Sequence, residues 1–199
     1  MKYWVWIVIV LLILFSFKTF LSQEITGKSV SSGIITLTKV GSAGIQMTDE
    51  NIAFGSGYVQ GCEYAVVNSN LSGSCWVNVS EFVEDYHLLV NNGSSVLNVT
   101  ASVVGLSDAE DFFCGDCLYT DNARISVYSV NAESGSCSGL TNSAESVATY
   151  NSVNNVGVCD YFDFADASDS VKVYIEFYVP KDASVGNKSF LISYEASVY

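Results

Sequence analysis

Positive charge, histidine and proline are all scarce in this chain. Its 199 residues include 8 Lys and Arg against 21 Asp and Glu, a formal net charge of −13. Nucleic-acid binding relies on Lys and Arg that neutralise phosphates, so this balance argues against a nucleic-acid partner. His87 is the single histidine, and it limits Ser–His or Cys–His catalysis to one position.

Apolar residues, in contrast, are abundant. They make up 49% of the chain, and aromatic residues make up 13%. This is enough apolar surface to offset the entropy lost on folding, which argues against a disordered chain. The length indicates a single folded domain.

The N-terminus is a long apolar run. It extends from Tyr3 to Phe17, and Thr19, Phe20 and Leu21 continue it beyond Lys18. At 1.5 Å per residue a helix over residues 3–21 nearly spans a hydrocarbon core of about 30 Å. We therefore expect residues 1–22 to be a transmembrane anchor. A cleaved secretory signal is the alternative, and a pilin-type leader cut ahead of the run is a third.

The residues beyond the apolar run are expected outside the cell. Residues 23–32 are polar and are interpreted as a stalk, and residues 33–199 as an extracellular domain. An even number of cysteines in an exported chain favours disulfides, but six cysteines allow 15 pairings. Closeness in sequence favours Cys62 with Cys75 and Cys137 with Cys159, which leaves Cys114 with Cys117.

Asparagine sequons are compatible with glycosylation at a surface. They stand at Asn70, Asn78, Asn92, Asn98 and Asn187.

Hydrophobic residues past position 30 recur every second residue, which is typical of strands with one buried face. Val171–Val179 and the strand around Phe190–Glu195 are predicted to form a hairpin. Tyr86–Asn91 and Leu97–Val103 are predicted to form a second hairpin through an Asn-Asn-Gly-Ser turn. Many short strands with turn signals between them indicate an all-β, antiparallel sandwich or barrel. Ser143–Tyr150 is the one candidate for a short helix.

Several residues could carry chemistry, and each has a structural alternative. A hydrogen-bonded or solvated strand residue is favoured for His87 over a catalytic one. Cys114-Gly-Asp-Cys117 has the spacing of redox or zinc motifs, but a structural disulfide is favoured in an oxidising compartment. Tyr174 and Tyr178 share the polar face of one strand. They could contact a sugar or a partner, and the structural alternative is that they stabilise the sheet through cross-strand pairs.

Acidic stretches suggest a structural calcium ion, with a solvated acidic face as the favoured alternative. One surrounds the Cys114 motif. In the other stretch an aspartate stands at every third position, as Asp160, Asp163, Asp166 and Asp169.

Four stretches of the chain carry a resemblance to a known group. They read TGKSVSSGIITLTKVGSAGIQMT, IAFGSGYV, LLVNNGSSVLNVTASVV and VKVYIEFYVPKDASVGNKSFLISYEAS. They resemble the small exported β-sandwich surface proteins of archaea, which are related to the TasA, camelysin and bundling-pilin group. The resemblance covers most of residues 26–197. It implies a jelly-roll-like sandwich at the cell surface, with Cys62–Cys75 and Cys137–Cys159 as disulfides and no catalytic residue.

These observations favour a non-enzymatic protein of the cell surface or envelope, tethered by residues 3–21. It would contact other surface proteins or copies of itself, by strand addition with Val30–Lys39 as donor or through divalent cations between acidic faces. No cofactor is expected apart from a possible structural calcium. An extracellular glycan- or cell-surface-binding module is the alternative, and an extracellular hydrolase that uses paired carboxylates is a third.

Overall fold

The computed structural model describes residues 27–31, 34–38, 44–48, 51–114, 122–141 and 143–199. The expected membrane segment at residues 3–21 and Cys117 lie outside these residues. Within the described part of the chain, no helix is long and apolar enough to cross a membrane.

The described residues form antiparallel sheets and one short helix, which confirms the all-β prediction. In chain order the elements are β1 (Gly27–Ser31), β2 (Ile34–Thr38), β3 (Ile45–Met47), β4 (Gly57–Val59), β5 (Tyr64–Asn68), β6 (Gly73–Ser74), β7 (Trp76–Asn78), β8 (His87–Asn91), β9 (Leu97–Val104), α1 (Ala109–Phe113), β10 (Arg124–Asn131), β11 (Cys137–Leu140), β12 (Glu145–Thr149), β13 (Ser152–Val153), β14 (Val156–Phe162), β15 (Ser170–Pro180) and β16 (Leu191–Val198).

The larger sheet is organised around β15. This strand pairs with β10 along one side, from Asn131 opposite Val171 to Arg124 opposite Tyr178. On its other side it pairs first with β8 and then with β5. The sheet has eight strands in the path β13-β12-β10-β15-β5-β6, with β8 on β15 and β3 on β8. A second sheet has four strands in the order β11-β14-β9-β16.

One hydrophobic core unites residues of both sheets. Leu97, Val99 and Ala101 of β9 are fully buried in it. Val127 and Val173, from β10 and β15, belong to the same cluster. The expected alternation is therefore present, because every second residue of these strands faces the core.

Both predicted hairpins are wrong. β15 lies in the larger sheet and β16 pairs with β9 in the smaller one. Likewise, β8 pairs with β15 and β3, whereas β9 pairs with β14 and β16. In each case the connection passes from one sheet to the other. Alternation shows which face of a strand is buried. It does not show whether the next strand pairs with it in a hairpin or crosses to the other sheet, because both arrangements bury the same face.

A buried asparagine stabilises the crossing between β8 and β9. The Asn91 amide donates to the carbonyl oxygens of Ser95 at 3.0 Å and Phe162 at 3.1 Å. Its side-chain oxygen accepts from the Gly93 N–H at 3.1 Å. The turn residues predicted here are thus used to satisfy backbone groups inside the core rather than to close a hairpin.

The predicted helix at Ser143–Tyr150 is also wrong, because residues 145–149 form β12. This strand pairs with β10 around a bulge between Ile125 and Ser126, and Val147 and Ala148 are fully buried. Tertiary pairing overrides a weak local preference. The helix that does form, α1, begins after Asp108, whose carboxylate accepts from the Asp111 N–H at 2.7 Å. An N-cap aspartate with acids in the first turn was a readable signal.

The first hairpin lies near the start of the described chain. β1 and β2 pair with each other, from Gly27 opposite Thr38 to Ser31 opposite Ile34. The segment 30–39 is therefore divided between two strands, and β1 falls within the stretch interpreted as a stalk.

Candidate functional site

A cavity of about 1000 Å³ opens among the described residues. Its deepest lining residues come from α1 and the second half of β15. Phe112, Phe113, Ile175 and Phe177 line it and are each less than 9% exposed. The volume is at the upper end of the range for small-molecule sites, which is about 300–1000 Å³.

Aromatic rings form much of this lining. Phe177 is the centre of the cluster, with ring centroids 4.3 Å from Phe54 and 5.6 Å from Phe190. Phe112 lies 5.2 Å from Phe190 in an edge-on arrangement. The two separations that involve Phe190 are in the favourable range for aromatic pairs, and the Phe54–Phe177 pair is slightly closer. The lining is therefore held by contacts between rings that come from four separate segments of the chain.

The mouth of the cavity is formed by two segments outside the two large sheets, 51–58 and 181–190. Their lining residues include the most exposed apolar side chains there, Val185 at 99% and Tyr58 at 50%. The deep lining residues are buried, whereas these side chains are exposed. The cavity is therefore accessible to solvent at these two segments.

The charge of the lining differs from that of the rest of the chain. Residues 51–199 contain 18 Asp and Glu and 4 Lys and Arg. None of those acids in the described residues lines the cavity, whereas two of the bases, Lys181 and Lys188, do. The Lys188 ammonium donates to the Ser184 hydroxyl at 2.8 Å. The lining thus carries two ammonium groups and no carboxylate, while Asp182 adjoins Lys181 in the chain and the Asp85 carboxylate accepts from the Ala53 N–H at 3.3 Å.

A small two-stranded sheet, β4 with β7, covers one wall of the cavity. The Cys62–Cys75 disulfide ties the ends of these strands, with 6.0 Å between the two Cα atoms. The Trp76 indole packs directly on Gly57, where an added Cβ would clash with the ring. The indole N–H is buried and has no hydrogen-bond partner in the described residues. This is an uncommon state for a buried donor.

His87 also lines the cavity, but it is engaged in the core. Its Nδ1 atom is hydrogen-bonded to the Tyr194 hydroxyl at 2.7 Å, and the imidazole is 7% exposed. Burial raises the pKa of Tyr194 well above its usual range. The expectation of a hydrogen-bonded strand histidine is confirmed.

The opposite face of β15 carries a tyrosine cluster, which we define as Tyr64, Tyr86, Tyr128, Tyr174 and Tyr178. Tyr174 stacks on Tyr128 with centroids 5.2 Å apart. Tyr178 stacks on Tyr64 at 5.6 Å. Tyr174 is only 6% exposed. Burial of this ring supports cross-strand stabilisation over a surface contact.

Hydrogen bonds fix the tyrosine cluster. The Tyr174 hydroxyl donates to the Glu84 carboxylate at 2.6 Å, and the Tyr128 hydroxyl donates to the Asn68 side-chain oxygen at 3.3 Å. The Asn68 amide in turn donates to Glu176 at 3.0 Å. Burial, with the nearby Glu176 and Glu84 charges adding to it, raises the pKa of Tyr128 to about 12.

The four predicted calcium ligands do not converge. No group of three or more His, Cys, Asp or Glu in the described residues could hold a metal ion. The Asp163 carboxylate accepts from the Ser168 hydroxyl and the Phe164 N–H, both at 2.8 Å, and these bonds lower its pKa. Partial burial and the neighbouring Glu133 carboxylate raise the pKa of Asp169. Asp160 and Asp166 are exposed.

The second predicted disulfide pairing is also confirmed. Cys137 and Cys159 join adjacent strands β11 and β14, with 5.8 Å between the two Cα atoms. Cys114 is disulfide-bonded as well. It follows the last residue of α1 and its N–H donates to the Glu110 carbonyl at 2.9 Å, so the Cys-x-x-Cys motif begins where the helix ends.

The sequons lie in different environments. Asn78, Asn92 and Asn187 are exposed, whereas Asn70 and Asn98 are half-buried. Asn187 stands at the mouth of the cavity, so a glycan there would border its entrance.

No protein-family model matches the chain, and no curated protein or solved structure is significantly similar to it.

Proposed function

We propose that this chain is a non-enzymatic protein of the cell surface or envelope, tethered to the membrane by residues 3–21, whose all-β domain works by binding. The eight- and four-stranded sheets would pack face to face as a jelly-roll-like sandwich around their common core. This arrangement would present the acidic surface and the loops to partners outside the cell.

The disulfides carry this proposal. Cys62–Cys75 and Cys137–Cys159 are both closed, and each ties loops or strands of the folded domain. Such bonds persist in oxidising compartments and are rare in the cytosol. The apolar run at residues 3–21 supplies a means of reaching that compartment and remaining at its membrane.

At the cavity of about 1000 Å³, binding rather than catalysis is supported by the lining. Of the described residues, none that lines it is an Asp, Glu or Cys, and its one histidine is bonded to Tyr194. A catalytic pair of carboxylates or a nucleophile with its base would need such groups in a cleft.

Intact mass measured under non-reducing conditions, together with protease accessibility on whole cells, tests the proposal. We expect a chain that retains residues 3–21, contains oxidised cysteines and is cut by an externally added protease. Free thiols throughout the native protein, or complete protection from the protease in cells whose other surface proteins are digested, would contradict it.

Assembly through strand addition is part of the proposal, with residues 30–39 as donor. Since β1 and β2 pair with each other in this chain, donation requires that their hairpin open. Deletion of residues 30–39 should then reduce the oligomer mass measured by light scattering. An unchanged mass would remove strand donation from the proposal and leave surface binding in place.

A further inference from the structure

We propose that the cavity binds a single-chain amphiphile with an anionic head, such as a long-chain carboxylate. The chain would lie against the phenylalanine rings, and the head would meet Lys181 and Lys188 at the mouth. This goes beyond the proposed surface role and does not depend on it, because the cavity is a property of the folded domain.

The apolar lining argues for a hydrocarbon chain. The lining supplies phenyl and aliphatic groups from α1, β15 and the segment 51–59. Burying each methylene in such surroundings strengthens binding about fourfold. The volume, about 1000 Å³, is larger than well-packed protein cores leave between side chains.

Charge complementarity argues for an anionic head. The protein as a whole carries a formal net charge of −13 and would favour a cation at a random position. The cavity lining differs from the rest of the chain, because it includes Lys181 and Lys188 and no Asp or Glu of the described residues. An exposed ammonium pair of this kind selects the head rather than supplying most of the affinity.

Photocrosslinking of the full chain, in membranes of cells that express it, tests the proposal. A diazirine derivative of dodecanoate is the probe, and the labelled peptides are identified by mass spectrometry. We expect labelling within residues 51–59 and 181–192, competed by unlabelled dodecanoate. Decanoate and octanoate should compete successively less well, by about fifteenfold for each pair of methylenes lost.

The identity of the head is tested with competitors that share one chain. Dodecanoate should compete better than dodecanol, and dodecanol better than dodecylammonium. The lysophosphatidylglycerol with the same chain distinguishes a lipid source from a free acid, since whichever of the two competes at lower concentration identifies the source. Equal or better competition by dodecanol or dodecylammonium would overturn the anionic assignment.

Matched charge variants locate the head. The double variant K181Q/K188Q should weaken competition by dodecanoate about two- to tenfold and leave dodecanol unchanged. The control R124Q/K172Q removes the same charge away from the cavity and should behave as the parent. Equal losses in the two variants would overturn the placement at the mouth. Labelling confined to other segments, as expected if residues of this chain fill the cavity, would overturn the proposal altogether.

Discussion

The two faces of β15 are both aromatic, yet one is closed and the other borders a cavity. On the outer face, Tyr174 and Tyr128 stack and their hydroxyls are bonded to Glu84 and Asn68. On the inner face, Phe177 contacts other phenylalanines but also lines about 1000 Å³ of open space. Aromatic content alone therefore does not decide whether a surface is filled.

The two faces differ because their rings are contacted by different parts of the chain. The partners of Tyr174 include Tyr128 on β10, directly opposite in the ladder, and adjacent strands hold such pairs about 5 Å apart. Phe177 instead meets side chains from segments 51–58 and 183–190 and from the five-residue helix α1. Those segments have no ladder that sets their distance from β15, so space remains between them.

We expect the largest effect on stability from removing a phenylalanine ring, and we compare a ring in the closed core with one in the cavity lining. Phe162 is fully buried, whereas Phe190 is partly exposed and lines the cavity. Phe162→Ala should lower the free energy of unfolding by about 3–5 kcal/mol, and Phe190→Ala by about 1–2 kcal/mol. Urea denaturation measures both. Equal losses would show that the cavity is filled as tightly as the core.

Removing each disulfide sharpens the comparison between the cavity wall and the sheet. Replacing either Cys62 and Cys75 or Cys137 and Cys159 by serine should cost about 3 kcal/mol. The sequence separations are 13 and 22 residues, so the second pair should cost roughly 0.5 kcal/mol more in the chain-entropy model. Thermal or urea unfolding measures both losses.

Loss of the Cys62–Cys75 disulfide should also open the cavity, whereas loss of Cys137–Cys159 should not. Because Cys62–Cys75 ties β4 to β7, its loss should increase binding of an apolar fluorescent dye, while loss of Cys137–Cys159 should not. A dye response to both variants, or to neither, would contradict the assignment of the β4–β7 sheet as a wall.

The outer face is tested by removing one hydroxyl. Tyr174→Phe keeps the stacked ring but leaves Glu84 without its donor, and we expect a loss of about 1–2 kcal/mol in unfolding free energy. Tyr58→Phe, at the half-exposed mouth, is the matched control and should change stability by less than about 0.5 kcal/mol. Similar small effects in both variants would mean that the outer face is not fixed by its hydrogen bonds.

Alkaline pH should produce the smallest effect, again on the outer face. The pKa of Tyr128 is raised from 10.0 to about 12 in the folded protein, so the folded state holds this proton more tightly than the unfolded chain does. Its contribution to stability is therefore complete below pH 10 and is lost as the pH rises towards about 12. Tyrosinate absorbance during titration measures it, and Tyr128→Phe should reduce the late component by one tyrosine, because burial also raises the pKa values of Tyr174, Tyr178 and Tyr194. A normal titration in the parent would contradict this.

Local pattern predicted the strands well and their partners poorly. Leu97–Val103 and Val171–Val179 were recognisable because alternation reports which face is buried. Their neighbours were wrongly assigned, since β8–β9 and β15–β16 each pass between sheets. The cavity was not predicted at all, because its lining comes from residues about 140 positions apart in the chain. Phe54 and Phe190 carry no local sign of proximity.

Composition and periodicity were enough to predict an acidic, all-β chain, and closeness in sequence favoured the pairings Cys62–Cys75 and Cys137–Cys159 that the structure shows. Those properties depend on the residue types present and on neighbours close in sequence. The pairing of strands, the burial of Tyr174 and the Lys-bordered cavity depend on contacts between distant segments. Tertiary structure decided them. Each segment has several possible partners, and the one it takes is the one that lets the whole chain bury its apolar surface best.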